Sequence, residues 1–184
     1  MSGRDLFQFY VEGECEINFL RTFMHTKNTD FIIRPGRIEK LNPVSERISS
    51  VKAMTIKKGT KVVFVFDTDV NNLIILEENI KTLKKAAGLS DKDIFLVMSV
   101  KCFEDELVLS CKGISGIRGL VKLFDSEGIT SFKSDFSKCK NLEEKLKQGG
   151  FDIKLIWTKK PNKPFDKYEN NGKSIKIKAK NRYK

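Results

Sequence analysis

The sequence predicts an α/β protein in which a mostly parallel sheet is flanked by helices and followed by an α-rich C-terminal extension. Strand-like and helix-like segments alternate up to about residue 100, a pattern typical of a parallel sheet with helices on both faces. The run 62–66 is uninterrupted, β-branched and aromatic, as expected for a strand buried on both faces. This run and the earlier run 6–11 both end abruptly in carboxylates.

Local signals place the individual elements. Gly13 permits a tight turn after the first strand, Pro43 suits the first position of a helix, and Gly88 ends a helix. Apolar spacing and length then distinguish the helices from the strands. Strands are predicted at 6–11, 31–33, 62–66, 94–100 and 151–157, and helices at 16–24, 42–57, 73–87, 103–109 and 141–148.

Composition limits the class of protein. The chain has 184 residues, enough for one domain or for one domain with a small appendage. The apolar runs are of strand length, far short of the roughly 20 residues of a membrane helix, and the N-terminus does not resemble a signal peptide. None of the four cysteines forms a C-x-x-C pair, so we expect reduced thiols rather than a zinc site. The sequence therefore predicts a soluble cytoplasmic protein without a membrane partner.

Two short acidic motifs carry the functional argument. Glu12 ends the first strand, and Glu16 follows four residues later, in the first turn of a predicted helix. Asp67 and Asp69 end another strand and are two residues apart, so that they project to the same side of an extended backbone. Carboxyl ends of parallel strands meet at one edge of a sheet, and clustered carboxylates suit a hard cation such as Mg²⁺ or Mn²⁺. Alternatively, the glutamates complement a helix N-terminus and the aspartates begin a loop.

The two motifs together resemble the Toprim domain, which topoisomerases, bacterial primases, OLD-family nucleases and small RloB-like nucleases share. The resemblance covers about residues 5–100. It implies that Glu12 is the general acid/base and that Asp67 and Asp69 bind the metal. Glu16 matches a second acid of the OLD and RloB-like versions. Glu104, in Cys102-Phe103-Glu104, matches a further acid, although the Asn-Pro that precedes it in RloB-like proteins is missing here.

The resemblance implies a Toprim-like catalytic domain at 1–125 and a C-terminal extension with a basic arm at 126–184. The chain is too short to carry the additional domains of a topoisomerase or a primase, which leaves a metal-dependent nuclease that acts on DNA or RNA, in phage defence or in nucleic-acid processing. A partner ATPase is common for OLD-like nucleases. The sequence leaves both such a partner and the oligomeric state open.

Two other functions compete with this hypothesis. One is a nucleic-acid-binding module whose Toprim site is degenerate. The other is a phosphatase of the haloacid-dehalogenase type, whose first motif resembles Asp67-Thr68-Asp69 and would make Asp67 a nucleophile. Asn71 departs from that motif, and Glu12 and Glu16 would have no role in it.

Basic residues predict where nucleic acid binds. Residues 158–184 contain ten lysines or arginines against two acids, and the whole chain has a net charge of +11. Within this arm, Lys176, Lys178 and Lys180 alternate with apolar residues, so a strand would place the three lysines on its outer side. Lys133 is a further candidate phosphate contact. Alternatively, the three lysines protect an edge strand from aggregation, and Trp157, Phe165 and Tyr168 form either an aromatic nucleic-acid surface or a small packed lobe.

Overall fold

The computed structural model describes residues 6–27, 29–69 and 72–179. Its centre is a sheet of four parallel strands in the order β3-β1-β4-β5. These strands are β1 (Leu6–Val11), β3 (Arg37–Lys40), β4 (Thr60–Asp67) and β5 (Ile94–Ser99). A second, antiparallel pair joins β2 (Phe31–Ile33) to β6 (Lys176–Lys178). The predicted mixed α/β architecture with a parallel sheet is therefore confirmed.

Seven α-helices are found among the described residues. They are α1 (Glu14–His25), α2 (Ser50–Met54), α3 (Leu73–Ala87), α4 (Phe103–Ser110), α5 (Gly116–Leu123), α6 (Ile129–Lys138) and α7 (Leu142–Gln148). Short 3₁₀ turns lie at Asp91–Asp93, Phe165–Lys167 and Asn171–Lys173. No described helix is both long enough and apolar enough to cross a membrane.

Strand β4 shows how the sheet divides the core. Val63 and Val65 pack with α1 and with the helices that follow residue 102, whereas Phe64 and Phe66 pack on the opposite face with α3. Successive side chains of a strand point to opposite faces, so an apolar run with no polar interruption is buried on both. The prediction that this strand is covered on both faces is confirmed.

The helix predicted at 42–57 is wrong in its first half, where the structure has turns before α2. The cause is Asn79, which is buried on α3. Its Nδ2 donates to the carbonyls of Pro43 and Glu46, at 2.9 and 2.8 Å, and its Oδ1 accepts from the Ile48 amide at 2.7 Å. A tertiary side chain thus occupies backbone groups that a helix would have paired internally.

The strand predicted at 151–157 is also wrong. Phe151 makes one isolated bridge to Cys111, and the chain then continues in turns. The backbone of this segment is bonded to Lys176 instead of to a neighbouring strand. Lys176 Nζ donates to the carbonyls of Ile153, Lys154 and Ile156.

Two asparagine side chains cover the outer edge of β5. Asn171 Oδ1 accepts from the Leu96 amide at 2.8 Å, and Asn170 Oδ1 accepts from the Met98 amide at 3.1 Å. Asn170 Nδ2 in turn donates to the Met98 carbonyl at 2.8 Å. These amides replace a neighbouring strand and protect the edge from pairing with another chain.

Candidate functional site

Strand register brings the two acidic motifs together. Val11 is paired with Val65 in the parallel ladder, so Glu12 and Asp67 both lie at the carboxyl edge of the sheet. Glu12 Oε2 accepts a hydrogen bond from the Asp67 backbone amide at 3.1 Å. Burial raises the pKa of Glu12. The charge of Asp69 raises this pKa further, whereas the hydrogen bond from the Asp67 amide to Glu12 lowers it. The two strands therefore end at the same edge of the sheet, as the sequence predicts.

Glu16 lies in the first turn of α1 and is only 5 % exposed. The preceding turn leaves space for it, because a Cβ on Gly13 would stand 2.9 Å from Glu16 Oε2. Burial raises the pKa of Glu16 to about 7, and the charges of Glu12 and Glu104 raise it further against a backbone hydrogen bond that lowers it. Gly13 thus follows Glu12 for a steric reason, since a side chain at position 13 would crowd Glu16.

Asp67 is the most perturbed carboxylate of the site. It is 9 % exposed, and its buried Oδ1 has no hydrogen-bond partner. Burial raises the pKa of Asp67 to about 8, with further contributions from the charges of Glu16 and Glu12 and an opposing hydrogen bond with Ser99. A buried polar atom without a partner is costly, so this oxygen is free to take a ligand.

Asp69 is exposed, and its loop is fixed to the end of β5. Its amide donates to the Lys101 carbonyl at 3.1 Å, and Thr68 donates from both its amide and its hydroxyl to the Ser99 carbonyl, at 3.0 Å each. Lys101 has φ of 75°, a left-handed conformation that is uncommon for a residue with a side chain. Non-glycine residues in this region are concentrated at functional sites.

Glu104 and Lys133 complete the surroundings of the acids. Glu104, 4 % exposed at the start of α4, forms an ion pair with Lys133 in α6, with 3.2 Å between Oε1 and Nζ. Glu104 raises the pKa of Glu16 and of Asp67, so its charge acts on the same cluster. Lys133 therefore reaches this edge of the sheet from the C-terminal part of the chain.

The carboxylates are neighbours, but as they stand they do not form a complete set of metal ligands. Among residues 6–27, 29–69 and 72–179, no group of three His, Cys, Asp or Glu side chains is arranged to hold a metal ion. Their chemistry nevertheless fits a hard divalent cation, since the acids offer carboxylate oxygens and one of these, Asp67 Oδ1, is buried without a partner.

The predicted outer row of lysines is wrong for Lys176. Its ammonium group is turned inward to the carbonyls of the 153–156 turn, and burial lowers its pKa to about 8. Lys178 is exposed, as predicted, and Lys180 lies outside the described residues. Trp157 and Phe165 are fully buried, which favours the packed-lobe alternative over an aromatic surface.

Two residues that matter at this edge were missed in the sequence. Ser99 is buried at the end of β5, where its side chain lowers the pKa of Asp67 and accepts from Trp157 Nε1 at 3.3 Å. Glu106, 1 % exposed, accepts from the amides of Val100 at 3.1 Å and Trp157 at 2.8 Å. In the sequence, Ser99 is only a polar residue at the end of an apolar run, and Glu106 is only an acid within a largely apolar helix. Neither pattern reveals which groups these side chains contact.

Comparison with known proteins identifies no relative. No family model, curated protein or solved structure matches the chain.

Proposed function

We propose that this protein is a Mg²⁺- or Mn²⁺-dependent nuclease of the Toprim type that hydrolyses phosphodiester bonds. The observation that supports it best is the environment of Asp67. This carboxylate is buried, its Oδ1 has no hydrogen-bond partner, and its pKa is raised by burial and by neighbouring acids. Such an arrangement costs stability in the absence of a cation. A structural role for the four acids would leave that cost without compensation.

A polyanionic substrate follows from the contrast between the site and the rest of the chain. The protein has a net charge of +11, although Glu16, Asp67 and Glu104 are buried at this edge. A basic protein attracts the phosphate backbone of nucleic acid, while an acidic cluster within it repels that backbone unless a cation intervenes. Metal-assisted chemistry on nucleic acid accounts for both features.

In this proposal, each side chain of the site has a separate role that follows from its position. Asp67 and Asp69 would hold the metal with help from Glu16, and the bound ion would act as a Lewis acid on a phosphoryl oxygen. Glu12 would move a proton at the attacking water or the leaving oxygen, and its raised pKa brings it closer to neutral pH, where proton transfer is most efficient. Lys133 places a positive charge beside Glu104, where it would orient a phosphate.

A degenerate binding module remains the second candidate, because the acids do not form a ligand shell as they stand. Metal dependence separates it from the nuclease, since a pure binder would hold nucleic acid equally well in chelator. The phosphatase hypothesis has less support, because Glu12, Glu16 and Glu104 all influence Asp67 electrostatically and would have no role in that mechanism.

The test is incubation of the protein with plasmid, single-stranded DNA and tRNA in the presence of Mg²⁺, Mn²⁺ or EDTA. We expect metal-dependent cleavage that falls on the order of 10²–10⁴-fold in Glu12→Gln, with binding retained. Glu14→Gln is the matched control, because Glu14 lies in the same turn but is exposed and paired with Lys40. Cleavage by Glu12→Gln at the wild-type rate would overturn the assigned role, and products in EDTA would overturn the metal dependence.

A further inference from the structure

We propose that Lys101, Lys159, Lys160 and Lys163 form a basic track that binds the phosphate backbone of nucleic acid on the β5 side of the candidate site. This inference rests on the proposed function and adds to it the direction from which the strand approaches. It moves the contact surface away from the lysines of 176–180 that the sequence favours.

Hydrogen bonds place the segment that carries three of these lysines beside the carboxyl end of β5. Asn170 Nδ2 donates to the Met98 carbonyl at 2.8 Å and to the Lys159 carbonyl at 2.9 Å, so one amide group joins the strand to the segment. Met98 directly precedes Ser99, which is paired with Asp67 in the ladder. Lys159 therefore lies next to the strand that ends at the acidic cluster.

Two anchors hold the segment in place while its lysines remain outside. Pro161 is buried, and the Phe165 ring packs against Phe66 of β4 with 5.6 Å between ring centroids. Lys159 and Lys160 precede the first anchor, Lys163 lies between the two, and all three lysines are exposed. A segment fixed in this way presents its charges without a large entropic cost on binding.

Lys101 connects the track to the acids. It follows β5, its carbonyl accepts from the Asp69 amide at 3.1 Å, and its own amide donates to Thr68 Oγ1 at 3.0 Å. Its side chain is exposed. A phosphate held near Lys101 would therefore be adjacent to the loop that carries Asp69.

The lysines of the track differ from several other exposed lysines in having no acidic partner. Lys40 is paired with Glu14, and Lys167, in the same C-terminal segment as the track, is paired with Glu77. Within the described part of the chain, the four lysines of the track take part in no ion pair. An unpaired lysine that neutralises a phosphate releases counterions from the nucleic acid, whereas a paired lysine would first have to break a salt bridge.

The experiment measures binding and not cleavage. Fluorescence anisotropy would follow a labelled single-stranded oligonucleotide and a labelled duplex, in Mg²⁺ and on the Glu12→Gln background, at salt between about 50 and 200 mM. The test variant carries Lys159→Gln, Lys160→Gln and Lys163→Gln. The control carries Lys57→Gln, Lys58→Gln and Lys85→Gln. These changes remove the same charge from exposed, unpaired positions near the amino-terminal ends of the strands, away from the candidate site.

We expect the plot of log K against log salt to flatten by about 2–3 units in the test variant, at ~0.7–0.9 per lost contact, and to change little in the control. Lys101→Asn, which tolerates the left-handed backbone, should remove up to about one further unit. Equal slopes in the test and control variants would overturn the track while leaving the nuclease assignment open to its own cleavage test. A protein that binds neither oligonucleotide would overturn both proposals.

Discussion

At the scale of single residues, the site is a set of acids that destabilise one another. Asp67 and Glu16 are both buried, burial raises the pKa of each, and the charge of Glu16 raises the pKa of Asp67 further. Because burial favours the protonated form, the metal-free site holds protons that the unfolded chain releases. A bound cation would replace those protons, so stability, pH and metal are linked through the same side chains.

The first prediction uses this linkage. Burial raises the pKa of Asp67 from its ordinary value of 3.8 to about 8 in the folded state, so between these pH values this group binds more protons in the native than in the unfolded state. The contribution of Asp67 to the stability of the metal-free protein should therefore fall as the pH rises from about 4 towards 8. Chemical denaturation in EDTA across this range measures the slope, and saturating Mg²⁺ should raise stability most at the upper end.

Two variants make this prediction specific. Asp67→Asn should remove part of the slope and raise the metal-free melting temperature at pH 8, by roughly 2–4 °C for each kcal/mol recovered. Asp166→Asn, at an exposed position, should leave the slope unchanged. A metal-free protein whose stability increases from pH 5 to pH 8, with the same slope in Asp67→Asn, would contradict the electrostatic account of the site.

At the scale of elements, the sequence predicts those whose signals are local. The strands β1, β4 and β5 are apolar runs, and α3 has helical spacing and a terminal Gly88 with φ of 66°. Elements determined by distant partners were missed. The edge strand β3 is short and charged, α6 has only two buried residues, and the turns after residue 42 depend on Asn79. The same reasoning applies to the site, where strand ends are predictable but the Glu104–Lys133 pair is not.

The second prediction contrasts two lysines of β6. Lys176 donates to three backbone carbonyls, whereas Lys178 is exposed. Lys176→Gln should lower the free energy of unfolding by about 1–3 kcal/mol, because partly buried carbonyls lose their charged donor. Lys178→Gln should stay within about 0.5 kcal/mol of wild type. Urea denaturation measures both, and equal effects would show that Lys176 does not support the 153–156 turn.

At the scale of the whole molecule, the C-terminal extension and the sheet share one core. Phe103 and Phe136 lie with ring centroids 5.8 Å apart, and Asn18 Nδ2 of α1 donates to the Phe136 carbonyl at 2.7 Å. Strand β6 pairs with β2 across most of the chain length. Lys133 brings a cation from this extension to the acids. The candidate site and its support therefore come from both halves of the sequence.

The last prediction tests whether residue 125 is a boundary between independent units. A chain that ends at Asp125 would lose α6, α7 and Trp157, and would leave the buried face of α1, including Phe19 and Phe23, without its covering. Exposure of several aromatic side chains costs roughly 1.5–3 kcal/mol each, which exceeds the margin of most domains. We expect this chain to lack a cooperative thermal transition and to bind a hydrophobic dye. A chain that ends at Ala179 retains every described element and should melt cooperatively. Cooperative melting of the 1–125 chain would instead establish it as a domain in its own right, with the extension an addition to a self-sufficient fold.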